Sequence, residues 1–182
     1  EVDPETKIRP VPGGVSFGRN GHTGTLGGWC WDLTDDTIVA LSNEHVLGTA
    51  AGLATLQQGS ADGGTIANNR MGTTKRGIAR NPPPAVNAID CAIADVDDSD
   101  DIDSSVLEIG PAIYAIADAT LDLAVEKFGQ TTAHTFGEVT DTDWSGSVDG
   151  YISRARRNAS TLETYAGSAA LDSIAFNVRT DS

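Results

Sequence analysis

The chain has 182 residues, 39% of them apolar, with 26 acidic residues against 12 basic ones, a net charge of −14 and only three lysines, Lys7, Lys75 and Lys127. That is enough apolar material to bury a core, so disorder of the whole is excluded, and no run reaches the roughly 18 apolar residues that a membrane-spanning helix needs. So acidic a surface repels phosphate backbones and anionic lipid, which argues against nucleic-acid partners and membrane insertion.

Twenty glycines, seven prolines and short apolar runs broken by turn residues predict an all-β protein. The opening EVDPETKIRP has neither an initiator Met nor an apolar signal core, and reads as a trimmed start. Residues 1–11 are expected to form an extended arm, since the prolines of RPVPGG prevent helix and its glycine pair permits a sharp turn. From VSFG through DDTIVALSN, apolar clusters alternate with Gly, Asn and Asp, the mark of antiparallel strands joined by tight turns. EHVLGTAAGLA predicts a short helical turn, RMGTTKRGIAR a strand, NPPPAVN a stiff loop and AIDCAIADV a compact apolar strand.

The run DVDDSDDIDSS holds six aspartates from Asp95 to Asp103. Closely spaced like charges favour a solvated connector, and no EF-hand frame here has glycine at its sixth position, so a plain linker is preferred to a calcium loop. The expected organisation is a first unit over residues 12–98, a connector over 99–105 and a second β unit over 106–182. Cys30 and Cys91 allow one bridge, but sequence alone does not show that it forms, and two small buried apolar side chains in strand-like runs are the preferred reading.

GTLGGWCWDLTDDTIVALSNEHVL, residues 24–47, resembles the segment of bacterial trypsin-like serine proteases in which a Gly-Thr-Leu-Gly strand precedes a strand ending in Leu-Ser/Thr-Asn-x-His-Val. AIDCAIADV resembles their Asp-x-Ala-Ile-Ala strand, and VEKFGQTTAHTFGEV, RPVPGGVSFG and QQGSADGG are similar to segments of one bacterial branch. The likeness covers nearly all of residues 9–140. It implies two antiparallel β-barrels of the chymotrypsin type, the second incomplete in this chain, and a secreted or cell-envelope endopeptidase acting on polypeptides without metal or organic cofactor.

In such an enzyme a neutral imidazole accepts the nucleophile's proton, and a buried carboxylate on its other nitrogen sets the tautomer. His45 and Asp90 suit those roles: they are 45 residues apart, as in the chymotrypsin template, where the separation is also about 45. Asp90 lies between Ile89 and an apolar run, so its ionised carboxylate would be costly to bury without a partner. His22, in a turn, and His134, in the Thr-rich segment, read as structural, and Asn158-Ala159-Ser160 as a surface loop rather than a glycosylation site.

No Gly-Asp-Ser-Gly loop is present, and about 93 residues beyond Asp90 falls just past Ser182. Ser145 comes too early, Ser168 lacks the flanking Asp, and Ser182 lacks the loop that should precede the motif. The nucleophile is therefore expected outside this sequence, for instance on a C-terminal fragment of the same precursor. The rival readings are a catalytically silent protease-like module used for binding or assembly, and a non-enzymatic β-rich surface protein. The acidic surface reads first as a solvated coat that keeps the protein monodisperse; the sharper alternative is that a lysine-poor, aspartate-rich coat suits a salty habitat, where salt screens self-repulsion. Under the second reading, thermal melts should show the unfolding midpoint rising from low to multimolar salt; a flat response would rule it out and leave the first.

Overall fold

The computed structural model describes residues 2–87, 89–110 and 118–142, together with the backbone of strand segments 145–148, 151–154 and 177–178. Among the described residues it is mostly β-sheet, with two one-turn α-helices. The strands in chain order are β1 (Val11–Gly13), β2 (Ser16–Arg19), β3 (Gly24–Thr25), β4 (Gly28–Asp32), β5 (Thr37–Ser42), β6 (Ala54–Leu56), β7 (Arg70–Gly77), β8 (Val86–Asn87), β9 (Ala92–Val96) and β10 (Ile102–Val106). They continue with β11 (Ala124–Gly129), β12 (Ala133–Glu138), β13 (Ser145–Val148), β14 (Tyr151–Arg154) and β15 (Asn177–Val178). The helical turns are α1 (Glu44–Leu47) and α2 (Ile66–Asn69).

Seven strands form one curled antiparallel sheet in the order β3-β2-β6-β7-β9-β5-β4. Its concave side holds the main core, built from Val11, Val15, Phe17, Leu26, Ala40, Val46, Leu47, Met71, Ala92 and Ala94. β-branched and small side chains dominate that set, as suits a tightly curved pleated surface. Gly72 on β7 is a forced choice: a Cβ there would lie 1.8 Å from the Asp95 carbonyl oxygen of the neighbouring strand.

The N-terminal arm is strapped to this sheet rather than lying loose. Ser16 N–H donates to the Pro4 carbonyl at 2.9 Å, and the fully buried Gln57 side chain donates to the Thr6 carbonyl at 2.9 Å and accepts from Ile8 N–H at 3.0 Å. Arg9 also donates to the Gln57 side chain, and its Nε reaches Asp101 at 3.0 Å. Within the acidic run, residues Ser99–Asp101 make one 3₁₀ turn capped by the Asp98 side chain, after which β10 pairs in parallel with β1.

Beyond the acidic run, the β11–β12 hairpin pairs in full register from Ala124↔Glu138 to Gly129↔Ala133, and β15 adds to β11. Phe128 of β11 is buried against Val106 and lies where a Cβ on Gly14 would come within 2.9 Å. Gln130 N–H donates to Thr25 Oγ1 at 3.2 Å, joining the hairpin to β3. β13 and β14 form a second hairpin, and β8 runs parallel to β14. Ser145 opens β13, while Ser168, Ser182 and the Asn158 sequon lie outside the described residues.

One charged belt crosses four strands of the large sheet. Asp32, whose side chain is 1% exposed, accepts a two-pronged contact from Arg76 at 2.6 and 2.7 Å and a hydrogen bond from Thr34 N–H at 3.0 Å. Lys75 Nζ lies 3.1 Å from Asp32, 2.6 Å from Asp35 and 3.2 Å from Asp95, and donates to Thr37 Oγ1 at 2.9 Å. The Arg76 hydrogen bonds, with the Thr34 amide and Lys75, outweigh burial and hold the Asp32 carboxyl far below the usual carboxylate range. A depressed folded-state value means that this stabilisation is complete above about pH 4, the unfolded value, and is lost as pH falls towards the folded one. Asp32→Asn is therefore expected to lower Tm by several degrees at pH 7, and the gap to the parent protein should narrow as the melts are taken from about pH 5 to pH 2. A gap independent of pH would contradict the assignment.

Candidate active site

The register of β5 against β9 places the site. Ser42, the last residue of β5, pairs with Ala92, the first of β9, so chain leaving β5 and chain entering β9 meet at one end of the sheet. His45 lies three residues beyond Ser42 and Asp90 two residues before Ala92. Asn43, with extended backbone, precedes the single turn α1, and Leu47 N–H closes that turn on the Asn43 carbonyl at 3.0 Å. The turn stops at Gly48, whose φ of +78° glycine adopts without strain, so a single helical turn forms within EHVLGTAAGLA.

Alternation within α1 orients the histidine. Val46 and Leu47 are buried in the main core, so the preceding Glu44 and His45 lie on the outer side of the turn. Thr74 Oγ1 of β7 donates to the Leu47 carbonyl at 3.1 Å, and Gly77 lies so close to Gly48 that a Cβ would come within 2.6 Å of its carbonyl oxygen. The turn is thus clamped against the sheet.

Asp90 is gripped from the same turn. Its Oδ1 accepts from Glu44 N–H at 2.7 Å and His45 N–H at 3.2 Å, and its Oδ2 lies 2.6 Å from His45 Nδ1. Asn43 Nδ2 donates to the Asp90 carbonyl at 3.2 Å. The Asp90 side chain is 12% exposed and the His45 side chain 24%. Burial pushes the Asp90 carboxyl up, but the His45 hydrogen bond and charge, the Arg80 charge and the His45 amide together hold it below its ordinary value. It is therefore an anion at neutral pH. With Nδ1–H donating to that anion, the neutral ring carries its lone pair on Nε2, the tautomer that a general base requires.

His45 and Asp90, the two residues that the sequence pattern pairs, are in contact in the fold. The fold also adds a residue that no local pattern signalled. Arg80, in the loop after β7, places Nε 2.8 Å from Glu44 Oε2 and 3.8 Å from Asp90 Oδ2. That loop is held by Ile78 N–H on the Cys91 carbonyl at 2.9 Å, and by Asn81 and Asn87, whose reciprocal bonds are 2.7 and 2.9 Å. His134 pairs with Glu126 at 2.8 Å across β11 and β12, in keeping with a structural role. His22, on the turn after β2, is less remote from the site than its sequence position implies: partial desolvation and the charges of Arg19 and His45 lower its imidazole from the ordinary value. Among the described residues no group of three or more His, Cys, Asp or Glu is arranged to hold a metal ion.

Against solved structures, the chain matches Nocardiopsis protease (NAPase), with 15% identity over 80% of this chain and 68% of that one at a TM-score of 0.57. It also matches Thermobifida fusca protease A (TFPA), with 11% identity over 80% of this chain and 67% of that one, again at a TM-score of 0.57. The fold is that of the chymotrypsin-like β-barrel proteases. At these identities the likeness is one of architecture. No family model and no curated protein matches the sequence.

Cys30 and Cys91 are unbridged and partly buried. Burial, with smaller contributions from Cys30 and Asp90, pushes the Cys91 thiol up to about 11. Since the thiolate is the reactive form, Cys91 is expected to react with a disulfide reagent at pH 8 about 100-fold more slowly in the folded protein than after unfolding. Equal rates would contradict that burial.

Proposed function

We propose that this chain belongs to a serine endopeptidase in which His45 is the general base and then acid, Asp90 its orienting partner, and a serine outside this sequence the nucleophile. The observation that carries the reading is the 2.6 Å contact between His45 Nδ1 and a largely buried Asp90, whose other oxygen is held by two backbone amides. The chymotrypsin-like architecture supports it, because the solved neighbours of that fold are themselves proteases.

In the first half-reaction the serine hydroxyl would pass its proton to His45 Nε2 as its oxygen bonds to the peptide carbonyl carbon. The proton then goes to the departing amine as the C–N bond breaks, leaving an acyl ester. Water repeats the sequence, with His45 taking its proton and returning it to the serine oxygen. Throughout, Asp90 remains ionised and stabilises the transient imidazolium. No described helix is long and apolar enough to cross a membrane, and we place the enzyme outside the cytoplasm, as a secreted or envelope peptidase whose partner is a polypeptide substrate.

The test uses the complete gene product. It should label with a fluorophosphonate probe and cleave a denatured protein substrate, with His45→Ala lowering kcat by about 10⁶-fold and Asp90→Asn by about 10⁴-fold, both variants remaining folded by circular dichroism. A folded product that neither labels nor cleaves would turn the reading over to the silent module.

A further inference from the structure

Four charges stand in line across the site, alternating in sign when His45 is protonated. Glu44 Oε2 meets Arg80 Nε at 2.8 Å, Arg80 faces Asp90 Oδ2 at 3.8 Å, and that same oxygen holds His45 Nδ1 at 2.6 Å. At 3.8 Å the Arg80–Asp90 contact is beyond hydrogen-bond length, so it acts through charge alone. The Arg80 and Glu44 side chains are only 19% and 17% exposed, and in such a setting Coulomb interactions are weakly screened.

We propose that Arg80 and Glu44 form a positioning pair that sets how much negative charge the Asp90 carboxylate presents to the His45 ring. The inference rests on the reading of His45 and Asp90 as a proton-handling couple, but neither residue of the pair touches the reacting atoms. Arg80 draws on the same oxygen that binds Nδ1–H, weakening the field that favours the protonated ring. Glu44 in turn offsets Arg80, so the two act in opposite senses. Glu44 has a second tie to the couple, because its backbone N–H donates to Asp90 Oδ1. The pair therefore couples backbone placement of the turn to the charge balance behind the histidine.

Among the described residues, the charged groups facing the couple come from three directions. Glu44 lies on α1 itself, Arg80 on the loop leading towards β8, and Arg19 with His22 on β2 and the turn after it, His22 being within electrostatic range of both Arg19 and His45. Arg19 and His22 remain unchanged in the variants below, so their contribution is constant. The alternation makes a signed expectation, which a purely structural role for Arg80 would not produce.

The experiment is an NMR pH titration of the His45 ring protons at low ionic strength in the parent protein, Arg80→Met, Glu44→Gln, the double variant and Arg80→Lys. Loss of Arg80 removes the positive charge facing Asp90, and the acid-side transition should move to higher pH by about half a unit or more. Loss of Glu44 removes a negative charge from beside Arg80, and the transition should move to lower pH. The double variant and Arg80→Lys should fall close to the parent. Single variants shifting in the same direction, or not at all, would overturn the proposal. Should Arg80→Met fail to fold, Glu44→Gln decides alone: a downward shift supports the pair, and an unchanged or upward midpoint overturns it. The readout needs no hydrolysis, so a protein that cleaves nothing yet shows opposed shifts would refute the peptidase reading and leave the pair standing.

Discussion

Keeping a carboxylate ionised at 12% exposure is costly unless charge and hydrogen bonds replace the water it has lost, and for Asp90 the replacements come from two places. Two are the backbone amides of Glu44 and His45, and one is the imidazole of His45 itself. The anion that orients the ring thus also holds the peptide groups from which the ring hangs. Neither the turn nor the ring can move independently while Asp90 stays charged, and the Arg80 charge supports that ionised state.

The sheet supplies the rigidity this arrangement needs. Val46 and Leu47 commit one side of a four-residue turn to the main core, and Thr74 Oγ1 holds the turn's last carbonyl. A helix this short would not persist alone, because nucleation is unfavourable and only tertiary packing offsets it. Placement of His45 is accordingly a property of the barrel rather than of the local chain. The charged belt around Lys75 has the same logic on another face: one ammonium group joins carboxylates from β4, the following turn and β9, tying strands that are not all direct neighbours. In a chain with net charge −14, such concentration of scarce cations among aspartates relieves the self-repulsion that an acidic composition imposes.

Architecture at identities as low as 11–15% is physically reasonable. A curled sheet asks for small and β-branched residues on its concave side, glycine where strands crowd, and polar residues outside, and many sequences satisfy those demands. Chemistry asks for more, since it depends on the site and not on the fold that carries it. That is why the contact between His45 and Asp90 bears more weight in the functional reading than the architectural likeness does.

Much of this was legible in the linear sequence. Alternating apolar clusters with Gly and Asp turns specified strands, and the chymotrypsin-like architecture agrees with that reading. His45 and Asp90 could be paired on paper because Ser-Asn-x-His-Val and an aspartate wedged in an apolar run are local patterns, and a 45-residue interval separates them. Arg80 could not be found that way: it sits 36 residues from Glu44 in a loop with no distinctive motif, and only folding brings the two together. The same holds for the pairing of Ser42 with Ala92, the charged belt that gathers Asp32, Asp35 and Asp95 around Lys75, and the approach of His22 to the site. Sequence by itself determined which residues could bury, turn or titrate, because those properties belong to single side chains and near neighbours. Tertiary structure alone decided which of them meet, because strand register and sheet curvature are set by the summed packing of distant segments.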